Sequence, residues 1–389
     1  MFSARFKWNL ETNQLARLIE EKKRAGVKWL DLTESNPTRC GFDYPATELL
    51  SALASADAMR YDPQPRGLLS ARQAVASYYQ KRGQIISPEH LFITASTSEA
   101  YTWLFKLLTD PGDAVLVPQP SYPLFEFLAT LEGVELHPYR TNYLHPNGWR
   151  VDFDSLAQAL TPRTRAVILV NPNNPTGAYL KHHEAAQLAA FCRAHQLALI
   201  VDEVFCDYLL TNKPDLVTDF STTAELTFVL NGFSKLLALP QMKLGWIAVQ
   251  GDAALCAEAE TRLELIADTF LSVNTPVQVA AAEWLTWRET LQQQILLRIK
   301  ANLAFLSKSV EASAVRLLKL EGGWCATLEI PRRLPEEELV LSLLATDNVL
   351  VHPGYFFDFA REAYLVLSLL PLPDTFRPAV EKILARVGG

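Results

Sequence analysis

Short apolar runs alternate with helical patterns through the middle of the chain. The strand-like runs fall at 91–94, 113–117, 134–138, 165–170, 197–202, 227–231 and 244–249. Stretches with apolar residues at helical spacing separate them, an alternation typical of a mostly parallel sheet that helices cover on both faces. We therefore predict an α/β fold with a large domain around a seven-stranded sheet.

The pattern changes towards both ends of the chain. Residues 9–25 carry apolar positions at helical spacing and predict an amphipathic helix. Beyond the sheet, the pattern predicts two long helices and three shorter strands, at 252–271, 277–309, 326–330, 349–351 and 364–368. We expect a large domain over 48–275 and a smaller α+β domain built jointly by 1–47 and 276–389.

The composition narrows the class of partner. A net charge of −7 argues against nucleic acid and anionic membranes. No stretch reaches the ~18 apolar residues of a membrane span, and no continuous apolar run typical of a secretory signal opens the chain. The five cysteines are scattered without a Cys-x-x-Cys pair, which indicates reduced thiols. We expect a cytoplasmic protein that acts on small molecules.

The commonest motifs for nucleotides and metals are missing. The sequence contains neither a GxGxxG fingerprint nor a P-loop. The pair His182 and His183 has no further ligand at metal spacing, so we predict no metal site.

Polar side chains follow several of the predicted strands. Lys235 comes shortly after the run 227–231, Asp202 ends the run 197–202, Asn174 follows 165–170, and Thr97 follows 91–94. The carboxyl ends of strands line the crevice in which open α/β sheets bind their ligands. We therefore expect these four side chains to converge on one pocket.

The order and spacing of these units resemble the fold-type I pyridoxal-phosphate enzymes, specifically the class I and II aminotransferases. The resemblance extends from about residue 30 to about residue 370 and is carried by Asn-Pro-Asn-Asn-Pro-Thr-Gly at 171–177, by Asp202 and by Ser234-Lys235. It implies pyridoxal 5′-phosphate as cofactor and a ping-pong exchange of an amino group between an amino acid and a 2-oxo acid. It also implies a homodimer.

The resemblance assigns roles around the cofactor ring. Lys235 would form the Schiff base and then move the substrate's proton, which requires an amine of lowered pKa. Asp202 would keep the ring nitrogen protonated. Asn174 would donate to the phenolic oxygen, and Tyr122 would stack on the ring.

The phosphate of the cofactor would bind at the start of a helix. Ser96, Thr97 and Ser98 offer hydroxyls, backbone N–H groups and the positive end of the helix dipole. Ser234 and Lys243 would assist. Tyr61 would reach across the dimer to the neighbour's phosphate.

Four positions depart from the family's pattern. Phe205 stands where a tyrosine usually donates to the phenolic oxygen, Gly232 where a serine or threonine binds the phosphate, and Lys243 where an arginine does so. Val366 stands where an arginine normally clamps the substrate α-carboxylate. An alkyl group cannot replace a bidentate guanidinium.

The last departure leaves the substrate open. Either another arginine holds the carboxylate, with Arg39 and Arg361 as candidates and Asn174 sharing the load, or the substrate lacks an α-carboxylate. Aromatic and aliphatic loops, including 355–357, indicate an apolar or aromatic substrate. Two other functions remain open at this point, a β-eliminating carbon–sulfur lyase of the same fold and a non-catalytic protein that binds pyridoxal phosphate.

Overall fold

A single eight-stranded sheet organises the computed structural model, which describes residues 1–3, 5, 8, 11–211, 214–221 and 223–388. The strands of the chain are β1 (Leu30–Asp31), β2 (Leu91–Thr94), β3 (Ala114–Gln119), β4 (Glu135–Leu144), β5 (Gly148–Val151), β6 (Thr164–Val170), β7 (Ala198–Asp202), β8 (Leu226–Gly232), β9 (Gly245–Gly251), β10 (Arg316–Leu317), β11 (Cys325–Glu329), β12 (Val349–Leu350), β13 (His352–Pro353) and β14 (Tyr364–Ser368). The large sheet has the order β2-β9-β8-β7-β6-β3-β4-β5.

The helices cover the sheets and connect their strands. They are α1 (Gln14–Arg24), α2 (Ala46–Ser51), α3 (Leu69–Lys81), α4 (Thr97–Leu108), α5 (Leu124–Glu132), α6 (Phe153–Ala159), α7 (His182–His195), α8 (Phe233–Leu236), α9 (Ala253–Phe270), α10 (Thr275–Thr286), α11 (Arg288–Val310), α12 (Glu336–Asp347) and α13 (Pro373–Gly388). None of these described helices is long and apolar enough to cross a membrane.

The mostly parallel sheet confirms the predicted α/β class. The pairs β3–β4, β3–β6, β6–β7 and β7–β8 are parallel, whereas β9 runs antiparallel to both β2 and β8. Strand β7 is buried along its whole length, as expected for a strand covered on both faces.

The prediction of seven strands was one too few. Strand β4 continues to Leu144 and turns back as β5, which pairs with it from Thr141↔Val151 to Leu144↔Gly148. The extension of β4 is largely exposed and polar, so it lacks the apolar run by which the other strands were found.

The N-terminal segment joins the C-terminal part of the chain. Strand β1 pairs in parallel with β12, Leu30 opposite Val349. A second, four-stranded sheet has the order β10-β11-β14-β13 and is antiparallel. One apolar cluster contains Leu32 together with Leu343 and Leu365. The exact domain limits stay a prediction.

Two predicted helices have different bounds in the structure. The helix expected at 9–25 begins at Gln14, where the Asn13 side chain accepts from the N–H of Ala16 at 2.8 Å, and Asn9 and Leu10 lie outside the described residues. The single helix expected at 277–309 is two helices, because α10 ends at Thr286 and the N–H of the following residue, Trp287, donates to the Trp284 carbonyl. Helix α10 packs on α3 within the core of the large sheet.

Strand pairing brings the carboxyl ends of four strands to one edge of the large sheet. Asp202 is paired with Val170 on one side and with Leu230 on the other. Gly245 is paired with Gly232 and with Thr94. The segments that follow Thr94, Val170, Asp202 and Gly232 therefore start close to one another.

Candidate active site

A cavity of about 410 Å³ opens at this edge, between the large sheet and the four-stranded sheet. Its lining includes nine residues singled out from the sequence: Ser96, Thr97, Ser98, Tyr122, Asn174, Asp202, Ser234, Lys235 and Lys243. The structure thus brings these side chains together.

Lys235 lies in the short helix α8, directly after β8. Burial lowers the pKa of its amine, while Cys325 and Asp202 act in the opposite direction. The Nζ atom lies 5.6 Å from the ring centroid of Phe205 and 5.0 Å from that of Trp324. An amine in such surroundings is a better nucleophile and base at neutral pH than an exposed lysine.

Gly232, at the end of β8, leaves no room for the side chain that the family usually has there. A Cβ at this position would lie 2.9 Å from the carbonyl oxygen of Leu244 and 3.0 Å from the Cα of Gly245. A serine or threonine would not fit here without a shift of the backbone, because the start of β9 lies too close.

Asp202 is buried at the end of β7. One carboxylate oxygen accepts from the Tyr101 hydroxyl at 3.2 Å and the other from the N–H of Val204 at 3.2 Å. Burial raises the pKa of Asp202 to about 6, against the effect of these two hydrogen bonds. The carboxylate is fixed in position and still mostly ionised at neutral pH.

The start of α4 provides a site for an anion. Ser96 caps the helix, because its Oγ accepts from the N–H of Glu99 at 3.2 Å while the Glu99 carboxylate accepts from the N–H of Ala95 at 2.7 Å. Thr97 and Ser98 occupy the first turn, where backbone N–H groups have no acceptor within the helix. Both line the cavity.

The loop at 171–177 uses two of its asparagines for its own structure. Asn171 donates to the Val217 carbonyl at 2.9 Å, and the Asn173 side chain accepts from the Thr176 hydroxyl at 2.8 Å. The side chain of Asn174 lines the cavity and has no hydrogen-bond partner within the described part of the chain. It is the asparagine left to contact a ligand.

Tyr122 and Lys243 complete the predicted set. The Tyr122 ring lies at the cavity and packs edge-on against Phe125, at a centroid distance of 6.5 Å. Lys243 lies there in a left-handed backbone conformation, with φ of 53°. Its amine has no carboxylate partner among the described residues.

Three predicted residues lie away from the cavity. Tyr61 is 77% exposed. The Arg39 side chain is 75% exposed and lies 3.8 Å from Glu34. Arg361 is 2.5 Å from a Glu329 oxygen and donates to the Tyr364 hydroxyl at 2.7 Å, and it lies outside the cavity lining.

The other side of the cavity is formed by a set of residues that we call the small-sheet wall: Trp324, Cys325, His352, Val366 and Ser368. Sequence reasoning singled out only Val366 among them. Ser368 could have been predicted as well, because alternate residues of a strand share a face. Leu365 and Leu367 pack in the core, while Val366 and Ser368 line the cavity. Phe356 and Phe357, from the aromatic stretch 355–357, line the cavity, whereas Tyr355 lies outside the lining.

The described residues contain no group of three histidine, cysteine or acidic side chains that could hold a metal ion. The cavity combines one amine of lowered pKa, one buried carboxylate and the start of helix α4.

Comparison with known proteins agrees with this geometry. The chain is 28% identical over 371 residues to an alanine aminotransferase of Mycobacterium tuberculosis, covering 92% of this chain and 85% of that protein. It is 26% identical to the glutamate-pyruvate aminotransferase AlaA of Escherichia coli K12, covering 96% and 93%. It is 28% identical to the arginine–pyruvate transaminase AruH of Pseudomonas aeruginosa, covering 97% and 93%.

Solved structures share the fold over the whole chain. An alanine aminotransferase from Pyrococcus furiosus superposes with a TM-score of 0.89 at 24% identity, covering 99% of each chain. An aminotransferase from Escherichia coli gives a TM-score of 0.86 at 24% identity, covering 100% of this chain and 98% of the other. The sequence profile described as aminotransferase class I and II matches residues 8–380. The chain belongs to the class I and II aminotransferases.

Proposed function

We propose that this aminotransferase binds pyridoxal 5′-phosphate in the cavity through Lys235 and exchanges an amino group between an amino acid and a 2-oxo acid. The observation that carries the proposal is the placement of Lys235, whose amine has a pKa lowered by burial, in one cavity with the buried Asp202. When bound, pyridoxal phosphate supplies an aldehyde that condenses with amines and a ring that accepts electrons.

The residues of the cavity fit such a cofactor. The volume of about 410 Å³ lies within the usual range for small-molecule sites, about 300–1,000 Å³. Asn174 and Lys243 each present a polar group without a partner among the described residues, and α4 presents the free N–H groups of its first turn. The Asn174 amide can donate a hydrogen bond to the phenolic oxygen of the cofactor, and Lys243 and the start of α4 can bind its phosphate.

Lys235 would act twice. Its amine, with a lowered pKa, would bind the cofactor aldehyde. Once the substrate amine has displaced it, the same nitrogen would take the proton from the substrate α-carbon. It would then deliver that proton to the C4′ atom of the cofactor. The apolar rings of Phe205 and Trp324 keep the amine desolvated for that task.

Asp202 would hold a proton on the nitrogen of the cofactor ring. Tyr101 and the N–H of Val204 orient its carboxylate. A cationic ring nitrogen would stabilise the ionised carboxylate, because an opposite charge lowers the pKa that burial has raised.

Thr97 and Ser98 would bind the phosphate with the backbone of α4, while Ser96 shapes the turn by capping the helix. Ser234 and Lys243 would add a hydroxyl and a positive charge. Because an ammonium is a point charge and not a planar fork, Lys243 would hold the phosphate less rigidly than an arginine.

We further propose a homodimer in which Tyr61 reaches the cavity of the second copy. Its exposure supports this role, since it lies outside the cavity of its own chain. A cytoplasmic location is supported by the five cysteines, none of which forms a disulfide in the described residues.

The residues that line the cavity and the names of the related enzymes support a choice of substrates. Phe356, Phe357 and Trp324 line the cavity and favour an apolar or aromatic amino acid. The named relatives include enzymes of alanine and of pyruvate, which supports pyruvate as an amino acceptor. No specific observation favours a carbon–sulfur lyase or a non-catalytic protein.

A coupled test decides the proposal. The purified protein is mixed with pyridoxal phosphate and then with phenylalanine, leucine or alanine, and the visible absorbance of the bound cofactor is recorded. We expect an absorbance band on binding, its loss with at least one amino acid, and its return with pyruvate. Protein that remains colourless in excess cofactor, or a band that no amino acid removes, would contradict the proposal.

A further inference from the structure

The small-sheet wall holds a histidine opposite Val366. Strand β14 pairs with β13 so that His352 lies directly across from Val366, and both residues line the cavity. Ser368 lies two residues further along β14 and lines it as well. His352 therefore stands beside the place where the usual carboxylate-binding arginine is missing.

The ring of His352 is held by aromatic neighbours. Its centroid is 5.8 Å from that of Phe356 and 5.7 Å from that of Phe357. The Nδ1 atom is buried and has no hydrogen-bond partner within the described part of the chain. The Nε2 atom is not buried in this way and has no hydrogen-bond partner among the described residues, so it is the ring nitrogen open to a ligand in the cavity.

Few groups at this cavity can balance a negative charge. Among the described residues that line it, Lys235, Lys243 and His352 are the side chains able to become cationic, and no arginine is present. The proposed function uses Lys235 at the reacting carbon and Lys243 at the phosphate. His352 is the one that remains for the substrate.

The neighbouring Ser368 and the burial of the ring support this role. The Ser368 hydroxyl accepts from the N–H of Leu370 at 3.2 Å, which leaves its own proton free to donate. Burial lowers the pKa of His352, and the charge of Asp31 opposes that effect. The free protein thus carries a neutral ring that can donate from one nitrogen.

We propose that His352 anchors the substrate carboxylate by donating a hydrogen bond from Nε2, with the Ser368 hydroxyl beside it. The inference rests on the proposed function and names the group that selects its substrate. A single imidazole and a hydroxyl give a contact without the two-pronged geometry of an arginine. It follows that carboxylate recognition here depends on one side chain, which can be removed selectively.

The test compares two probes that differ only in the carboxylate. The protein carrying pyridoxal phosphate is titrated with 3-phenylpropanoate and with 3-phenylpropan-1-ol, and the dissociation constants are measured by calorimetry. We expect His352→Leu to weaken the carboxylate about 10- to 100-fold. The alcohol should change less than about 3-fold, because its apolar contacts remain.

A second variant separates hydrogen bonding from shape. His352→Gln places an amide N–H near the position of Nε2, so it should recover most of the affinity for 3-phenylpropanoate. Arg361→Ala and Arg39→Ala serve as controls, since both side chains lie outside the cavity, and should leave the ratio of the two constants unchanged.

Nuclear magnetic resonance of the unsubstituted protein gives an answer that does not depend on folding of a variant. With ¹⁵N-labelled histidine, the ring signals of His352 should shift on addition of 3-phenylpropanoate and not on addition of the alcohol. Equal losses for both probes in His352→Leu, no loss for either, or an unshifted ring signal would each overturn the inference. The absorbance of bound cofactor, scored on the same samples, shows whether the proposed function itself has failed.

Discussion

The two walls of the cavity differ in how they use polar groups. On the large sheet, Lys235 and Asp202 lie at strand ends, and the start of α4 supplies an anion site. On the small-sheet wall, Val366 and Trp324 are apolar, and His352 and Ser368 supply the hydrogen-bonding groups beside the Cys325 thiol. The first wall keeps most of the family's motif residues, whereas the second lacks the family's arginine.

This difference shows how the site divides its work. The groups proposed to contact the cofactor are set by strand ends and a helix start, which fix their positions through backbone geometry. The groups proposed to contact the substrate sit on the face of a small antiparallel sheet, where single side chains can change without altering the fold. On these proposals, reaction type and substrate choice are carried by separate layers of the molecule.

The largest effect is expected at the large-sheet wall. Lys235→Ala should lower the rate of amino-group transfer by about 10⁴-fold or more, because it removes both the attachment point and the base. Single-turnover absorbance changes with phenylalanine measure it. Lys28→Ala, an exposed lysine, should leave the rate unchanged. A rate within 10-fold of the unsubstituted protein would contradict the role of Lys235.

Asp202→Asn tests the carboxylate of the same wall. A neutral amide cannot hold a proton on the ring nitrogen, so the rate should fall by about 10²- to 10³-fold. The same single-turnover assay applies. An unchanged rate would show that Asp202 is a structural residue.

The same variant has a pH-dependent effect on stability when the cofactor is absent. The folded-state pKa of Asp202, about 6, lies above the ordinary value of 3.8. The buried carboxylate therefore costs no stability below about pH 4, and its full cost applies above about pH 6. Asp202→Asn should raise the free energy of unfolding at pH 8, on the order of 1–3 kcal/mol, and the gain should vanish towards pH 4. Denaturant unfolding across this range measures it, and a gain that does not change with pH would contradict the account.

Gly232→Ser restores the residue type of the family and should nevertheless harm this chain. The new Cβ would meet the Leu244 carbonyl and the Gly245 Cα, so the free energy of unfolding should fall by about 1–3 kcal/mol. Gly388→Ser, where a Cβ meets nothing within 4 Å, is the control. A stability equal to that of the control would show that β9 can move away.

Phe205→Tyr should have the smallest effect. Phe205 lines the cavity, so the added hydroxyl would be placed to favour the deprotonated form of the chromophore made with Lys235. The pH midpoint of the visible absorbance change should fall by up to about one unit. An unchanged midpoint would mean that the hydroxyl does not reach the cofactor.

The sequence predicted most of the large sheet because its central strands are continuous apolar runs. Strand β5 escaped detection because it pairs with a polar extension of β4. The break at Trp287 escaped because apolar spacing continues across it. The spacing of apolar residues shows which face of an element is buried. Neither the pairing of β5 nor the break at Trp287 changes that spacing noticeably.

The candidate site was predictable on one wall and not on the other. Lys235, Asp202 and Asn174 follow strands within recognisable motifs, so position along the chain was enough. His352 lies next to Val366 only because β13 and β14 pair, and a sequence does not give that register. For a related reason the sequence could not indicate that Arg361 pairs with Glu329, which is 32 residues away in the chain.

The central claim is that one amine, that of Lys235, binds pyridoxal phosphate. Reduction of the cofactor-loaded protein with borohydride, followed by proteolysis and mass spectrometry, locates the attachment directly. We predict a single modified peptide with the cofactor mass on Lys235. Modification of another lysine, or none at saturating cofactor, would contradict the account.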